Sequence, residues 1–106
     1  MKYELTKAET KVMLAIWSAD HDMALPEIME IAESLFHNGW KPQTVSTFLT
    51  RLVHKGFLNM YRRGRAFLYQ PLFSRVEGFR STITDTAELW FSGDMETCIK
   101  EIQSLI

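Results

Sequence analysis

The residues with the clearest chemical potential are the cations between positions 41 and 75. This span holds seven lysines or arginines and no aspartate or glutamate, whereas the segments on either side are acidic, so the net charge is only −1. Folding does not require basic and acidic residues to be separated along the chain in this way. A partner with closely spaced phosphates would favour the separation, because each neutralised phosphate releases a condensed counterion. The charge pattern therefore predicts a nucleic-acid partner. The seven cations are Lys41, Arg51, Lys55, Arg62, Arg63, Arg65 and Arg75.

The same span contains a predicted helix, at about residues 42–55, whose polar face carries mostly short side chains. A solvated helix face would usually carry glutamate and lysine instead. Gln43 can form two hydrogen bonds with adenine, and Thr44 and Thr47 can hydrogen-bond to a base or pack a methyl group against thymine. We predict that these three residues read bases. The residues predicted to contact the DNA backbone are Lys41, Ser46, Thr50, Arg51, Arg62, Arg63 and Arg65.

Each of these features also has an ordinary explanation. A hydroxyl-rich helix face can be plain surface, and an Arg-Arg-Gly-Arg turn can be a solvated loop. The combination of an acid-free span, a helix of this composition and a basic turn favours DNA. The alternative is a protein-interaction module in which the same helix binds another protein. Such a module would shift no duplex, and its binding would be insensitive to salt.

Other kinds of chemistry find little support in the sequence. The three histidines, His21, His37 and His54, are not spaced as metal ligands, and the single Cys98 excludes an internal disulfide or a cysteine-rich zinc site. No paired carboxylates, glycine-rich phosphate loop or nucleophile arrangement is present. We therefore expect neither an enzyme nor a cofactor. With no signal peptide and no long apolar segment, a cytoplasmic location is expected.

Three helices are expected to position the candidate reading residues. The first, roughly residues 6–19, begins with a Thr-Lys-Ala-Glu capping box. The second has a proline in its first turn and is expected to bury Ile28, Ile31, Ala32 and Leu35. The third, about residues 42–55, also opens with proline and is followed by a glycine suited to a left-handed cap. It is expected to bury Val45, Phe48, Leu49, Leu52 and Val53.

A β-hairpin is predicted after the third helix, over residues 57–70, with Gly64 in its turn and three arginines at its tip. Residues 23–25 can form one further short strand. Three helices followed by a hairpin are typical of a winged helix-turn-helix, a mainly α fold with a small β-hairpin wing, here at about 58–70. The hairpin residues that can alternate toward the core are Leu58, Met60, Phe67 and Tyr69.

The segment 74–106 is predicted to contain two amphipathic helices separated by Gly93. Their apolar faces have no obvious partner within residues 1–73, so we expect them to pack against a second copy of the chain. This divides the protein into a DNA-binding domain, 1–73, and a helical dimerisation region, 74–106. The residues expected to form the dimer contact are Phe79, Ile83, Ala87, Trp90, Phe91, Met95, Ile99 and Ile102.

Several motifs resemble the penicillinase-repressor family (the BlaI/MecI type). They are Trp-Lys-Pro-Gln-Thr-Val at 40–45, Arg-Leu-Val-His-Lys-Gly at 51–56, Gly-Arg-Ala-Phe-Leu-Tyr-Gln-Pro-Leu at 64–72, and the first-helix motif that starts at Leu5. The resemblance covers about residues 4–75. It implies a bacterial winged-helix repressor that binds a palindromic operator as a homodimer. It also implies that Gln43, Thr44 and Thr47 approach bases, with Arg65 and its neighbours on the backbone.

The C-terminal part departs from the family pattern. Residues 89–93 are similar to the family's interhelix turn, but family members usually continue beyond the position of Ile106 with another acidic helix. We therefore expect either a shortened member or a reduced dimer interface. In the antibiotic-responsive branch an inducing protease cleaves an Asn-Phe bond, so the resemblance implies an inducing protease as a candidate partner. This chain departs from that pattern, because it has Glu101-Ile102 at the nearest matching place. The copper-responsive branch uses a cluster of cysteines, which one cysteine cannot form.

Overall fold

The computed structural model describes residues 4–106. They form two compact units: the first is Leu5–Arg75, and the second contains Val76–Ile106. Within these residues there are five helices and one two-stranded antiparallel sheet. The elements in chain order are α1 (Lys7–Trp17), α2 (Leu25–Phe36), α3 (Pro42–His54), β1 (Leu58–Arg63), β2 (Ala66–Pro71), α4 (Arg75–Phe91) and α5 (Met95–Gln103). No helix in the described part of the chain is long and apolar enough to span a bilayer.

Helix α1 begins at the predicted capping box. The Glu9 backbone N–H donates to Thr6 Oγ1 over 3.1 Å, and the Thr6 backbone N–H donates to Glu9 Oε1 over 2.9 Å. The helix ends at Trp17, two residues earlier than predicted, and the Ser18 hydroxyl caps its last turn by donating to the Ala15 carbonyl over 2.6 Å. Its apolar stripe enters the core of the first unit through Val12, Met13 and Ile16.

Helix α2 has the predicted proline in its first turn and ends at Phe36. The next residue, His37, caps the helix in a left-handed conformation with φ of 53°. The strand predicted at 23–25 is reduced to one residue, because Met23 forms an isolated bridge and Leu25 already belongs to the helix. Ile28 and Ala32 are buried as predicted. Leu35 is 50% exposed, contrary to prediction.

Helix α3 follows the predicted bounds and buries Val45, Leu49 and Leu52, which recur every three or four residues. It ends in a Schellman motif, which explains why residue 56 is a glycine. The Gly56 N–H donates to the Val53 carbonyl over 3.1 Å, and the Phe57 N–H donates to the Leu52 carbonyl over 3.0 Å. Gly56 has a φ of 80°, which residues with a side chain rarely adopt.

The hairpin pairs β1 with β2, and its register places Met60 opposite Tyr69 and Arg62 opposite Phe67. A two-residue turn joins the strands, with Gly64 at positive φ in its first position. Met60 and Phe67 are 45% and 49% exposed and do not enter the core, whereas Leu58 is buried. All three lie on one face of the hairpin, and that face leaves the core as the strands project toward the tip.

The second unit contains α4 and α5, which meet at a turn where Ser92 and Gly93 both have positive φ. Gly93 therefore interrupts the helical path as predicted. Asp94 caps α5 by accepting from the backbone N–H of Thr97 over 3.2 Å. The side chain of Cys98 is buried, as expected for a packing residue.

Candidate nucleic-acid interface

Helix α3 presents the predicted reading residues to solvent. Gln43, Thr44 and Thr47 are exposed, while Val45 and Leu49 on the opposite face anchor the helix in the core. Of the residues predicted for the backbone, Ser46 is half-buried, and the remainder on and before α3 are exposed, namely Lys41, Thr50 and Arg51. The exposed face carries no acid, which leaves it compatible with a phosphate-rich partner.

The threonine hydroxyls on this face donate their protons within the helix. Thr47 Oγ1 donates to the Gln43 carbonyl over 3.0 Å, and Thr50 Oγ1 donates to the Ser46 carbonyl over 3.0 Å. A hydroxyl that donates locally keeps its acceptor lone pairs, and its methyl group remains free to make contacts. In this state Thr47 can accept from an exocyclic base amine or pack against a thymine methyl group.

The start of α3 is suited to an anion. Pro42 has no backbone N–H, and the first intrahelical hydrogen bond joins the Val45 N–H to the Lys41 carbonyl over 3.1 Å. The backbone N–H groups of Gln43 and Thr44 therefore precede the helical ladder and carry the positive end of the helix dipole. With the exposed ammonium of Lys41 beside them, they can bind one phosphate group.

The tip of the hairpin holds the predicted arginines. Arg62 is partly fixed: its Nε donates to the Gly64 carbonyl over 3.0 Å, and its guanidinium carbon lies 5.8 Å from the centre of the Phe67 ring. Arg63 and Arg65 are exposed, like Arg62. The remaining N–H donors of all three side chains can bind phosphate oxygens.

Lys55 forms an ion pair with an acidic side chain of the first unit. Its Nζ lies 2.6 Å from Oε1 of Glu9, whose side chain is fully buried. Burial raises the pKa of Glu9, but the hydrogen bonds from Lys55 and Thr6 together with the charge of Lys55 outweigh it, so the net pKa is lowered. The pair ties the first turn of α1 to the end of α3. Sequence reasoning missed it because the partners are 46 positions apart.

The fold and this surface can be compared with known proteins. A profile of the penicillinase repressor family matches residues 5–104. The chain belongs to the penicillinase repressor family. It is 35% identical over 68 residues to the penicillinase repressor of Bacillus licheniformis, an alignment covering 64% of this chain and 51% of that protein. It is 36% identical over 70 residues to the methicillin resistance regulatory protein MecI of Staphylococcus aureus (strain N315), covering 66% and 54%. The chain thus spans about half the length of the curated relatives it matches.

Solved structures of penicillinase repressors share the fold. The solution structure of the DNA-binding domain of the repressor BlaI matches with a TM-score of 0.59 and 32% identity, over 71% of this chain and 90% of that one. The monomeric form of Bacillus licheniformis BlaI in complex with the blaP half-operator matches with a TM-score of 0.58 and 31% identity, over 73% and 90%. These matches confirm the predicted winged-helix fold.

The second unit exposes large apolar side chains. Phe79 is 63% exposed and Trp90 is 74% exposed. Among the other residues predicted for dimerisation, Ile99 and Ile102 are exposed, Ala87 is buried within the single chain, and Ile83, Phe91 and Met95 are half-buried. Leu89 is as exposed as its neighbour Trp90 but was not predicted, because it lies off the stripe with three- and four-residue spacing.

His21 forms local contacts with two carboxylates. His21 Nε2 lies 2.7 Å from Glu27 Oε2 and its Nδ1 lies 3.3 Å from Asp20 Oδ1, and hydrogen bonding to these carboxylates, first to Glu27, raises the pKa of His21. Within residues 4–106 no three histidine, cysteine, aspartate or glutamate side chains are grouped as metal ligands. The cluster around His21 is best described as surface ion pairing.

Proposed function

We propose that this chain is a sequence-specific DNA-binding transcriptional repressor. In this proposal α3 lies in the major groove and the hairpin lies on the DNA backbone as the wing. The observation that carries the proposal is the exposed, acid-free polar face of α3, followed in the chain by an arginine-tipped hairpin. A related winged-helix protein, BlaI, has been solved in complex with a half-operator, which supports the same use of the fold here.

Affinity and specificity are expected to come from different residues. Arg62, Arg63 and Arg65 on the wing would neutralise phosphates and release counterions, together with Lys41 and Arg51 on either side of the reading face. Base discrimination would come from the three reading residues, Gln43, Thr44 and Thr47. Lys55 is left out of the DNA contacts, because Glu9 already neutralises it.

We further propose that two copies bind a palindromic operator, one copy to each half-site. The exposed apolar residues of the second unit, including Phe79, Trp90 and Ile102, would form the contact between copies. The segment 1–73 would then bind DNA and the segment 74–106 would dimerise. Induction by proteolysis is not included in this proposal, because Glu101-Ile102 does not match the Asn-Phe bond of the antibiotic-responsive branch.

A selection experiment tests the proposed function directly. The purified chain is mixed with a random-sequence duplex library, bound molecules are amplified, and the recovered sequences are aligned and used in mobility-shift titrations at several salt concentrations. Recovery of a two-fold symmetric sequence with salt-dependent binding is the expected result. A protein-interaction module would recover no sequence and shift no duplex at any salt concentration, and that outcome would refute the proposal.

Replacing Thr47 by alanine should weaken binding mainly on the selected duplex, by about 1–3 kcal/mol, because a base contact is lost. Titrations on the selected duplex and on a scrambled one measure the difference. The matched control is Thr84→Ala on α4, where the exposed threonine makes the same type of hydrogen bond, to the Arg80 carbonyl over 2.9 Å. Equal losses on both duplexes would show that Thr47 does not read a base.

Replacing Arg65 by alanine should weaken binding to all duplexes alike. Because one phosphate contact is lost, the slope of log affinity against log salt should become shallower by about one unit. Titrations from low to moderate salt measure the slope. Arg80→Ala removes an exposed arginine outside the proposed interface and should leave the slope unchanged. An unchanged slope in Arg65→Ala would place this arginine off the DNA.

A further inference from the structure

The wing is fastened to the loop between α1 and α2 at two points. The Tyr61 hydroxyl on β1 donates to Oδ2 of Asp22 over 2.5 Å. On β2, the Tyr69 backbone N–H donates to the Met23 carbonyl over 2.9 Å, and the Met23 N–H donates to the Tyr69 carbonyl over 3.4 Å. Asp22 and Met23 are consecutive, so one short stretch of loop holds one strand through a side chain and the other through the backbone.

The side-chain anchor lies next to the residues that the proposed function places on DNA. Arg62 and Arg63 follow Tyr61 directly on β1, so they lie within about 7 Å of it along the strand. Tyr61 and Arg63 point to the same face of the strand. The hydrogen bond to Asp22 is the main cause of the raised pKa of Tyr61, and the nearby charge of Arg63 lowers that pKa to a smaller extent. Tyr61 and Arg63 are two positions apart on that face and are therefore neighbours along the strand.

Anchoring matters because a two-stranded hairpin is only marginally stable by itself. The outer part of this hairpin buries little, as the exposure of Met60 and Phe67 shows. A wing that moved freely would have to be ordered on DNA, and that ordering would reduce affinity. A contact that orders the wing before binding removes this cost.

We propose that Tyr61 and Asp22 are positioning residues that fix the orientation of the wing, so that Arg62, Arg63 and Arg65 reach the DNA backbone together with α3. Neither residue needs to touch DNA in this role. The inference rests on the proposed function, since it assumes that the wing binds DNA. It adds a determinant of affinity that lies outside the reading helix and outside the arginines themselves.

The test compares Tyr61→Phe with the wild-type chain. Amide hydrogen exchange without DNA should show faster exchange at Tyr69, whose N–H bonds to the loop. Circular dichroism should show that the domain remains folded. On a labelled duplex recovered from a random library by the wild-type chain, affinity should fall by about three- to tenfold. The salt slope should also become shallower by about one unit, because a loosely held wing contacts fewer phosphates.

Three further variants separate the anchor from general effects on stability. Asp22→Asn retains an oxygen acceptor for the hydroxyl and should remain within about twofold of wild type, whereas Asp22→Ala should match Tyr61→Phe. Tyr69→Phe removes the other hydroxyl of the hairpin, which has no hydrogen bond to any residue the structure describes, and should change nothing.

The outcomes distinguish this inference from the function on which it rests. If the wild-type chain recovers and shifts no duplex, the proposed function fails and the inference fails with it. If the wild-type chain binds and Tyr61→Phe binds with the same affinity and the same salt slope, the inference alone is refuted. Unchanged exchange at Tyr69 in Tyr61→Phe would refute it as well, because the anchor would then not hold the wing.

Discussion

Replacing Lys55 by methionine should lower the free energy of unfolding by about 3 kcal/mol, at the lower end of the range for breaking a buried ion pair. Methionine fills a similar volume but leaves the buried carboxylate of Glu9 without its cation. The lower end is appropriate because the Lys55 side chain keeps 22% exposure and water screens part of the interaction. Urea unfolding at fixed chain concentration measures the change.

Two comparisons identify the ion pair as the cause. Lys41→Met makes the same change at the other end of α3, where the lysine is exposed, and should alter stability by less than about 0.5 kcal/mol. The second comparison is pH. The pKa of Glu9 is lowered from 4.5 by folding, so the stabilisation is complete above that pH and is lost as pH falls through the folded-state pKa. The difference between wild type and Lys55→Met should therefore narrow as the pH is lowered below about 4.5. A difference that stays constant with pH would exclude Glu9 as the source.

Replacing Trp90 by glutamate should abolish dimerisation at micromolar concentration. Trp90 is 74% exposed in the single chain, so a buried aromatic contact between copies is the role its size favours. Losing a central aromatic contact at an interface costs about 2–4 kcal/mol, which raises the dimer dissociation constant by about 30- to 1,000-fold. Sedimentation equilibrium of the wild-type and variant chains measures the change.

The control for this prediction is Leu35→Glu, which makes a comparable apolar-to-acid change at a half-exposed position of the first unit. Leu35→Glu should sediment with the same oligomeric mass as the wild-type chain. Circular dichroism of both variants checks that each remains folded. A wild-type chain that sediments as a monomer at micromolar concentration would rule out the proposed dimer, whatever the variants do.

Local signals in the sequence were enough to predict the helices and the hairpin. The Thr6–Glu9 capping box, the two helix-opening prolines and Gly56 each act within a few residues, and each does so in the structure as predicted. The exposure of the reading residues also followed from helical period alone, because burying Val45 and Leu49 turns the opposite face outward.

Features that depend on distant parts of the chain could not be predicted in this way. Met60 and Phe67 alternate correctly, but how far the hairpin projects beyond the core is set by the whole fold. The partner of Lys55 lies in the first turn of α1, and the partner of Tyr61 lies in the loop after α1. Charge counting alone assigned Lys55 to the cationic surface, whereas the structure uses it to hold α1 and α3 together.

The contact between Glu9 and Lys55 also constrains how the sequence can diverge. Losing Lys55 leaves the buried carboxylate of Glu9 without its cation. Exchanging both residues for apolar ones of similar volume can instead leave stability unchanged. We therefore expect selection to remove single substitutions at these positions and to tolerate paired substitutions. We expect the residue types at these two positions to covary across related chains, although one position is at the start of the first helix and the other is at the end of the third.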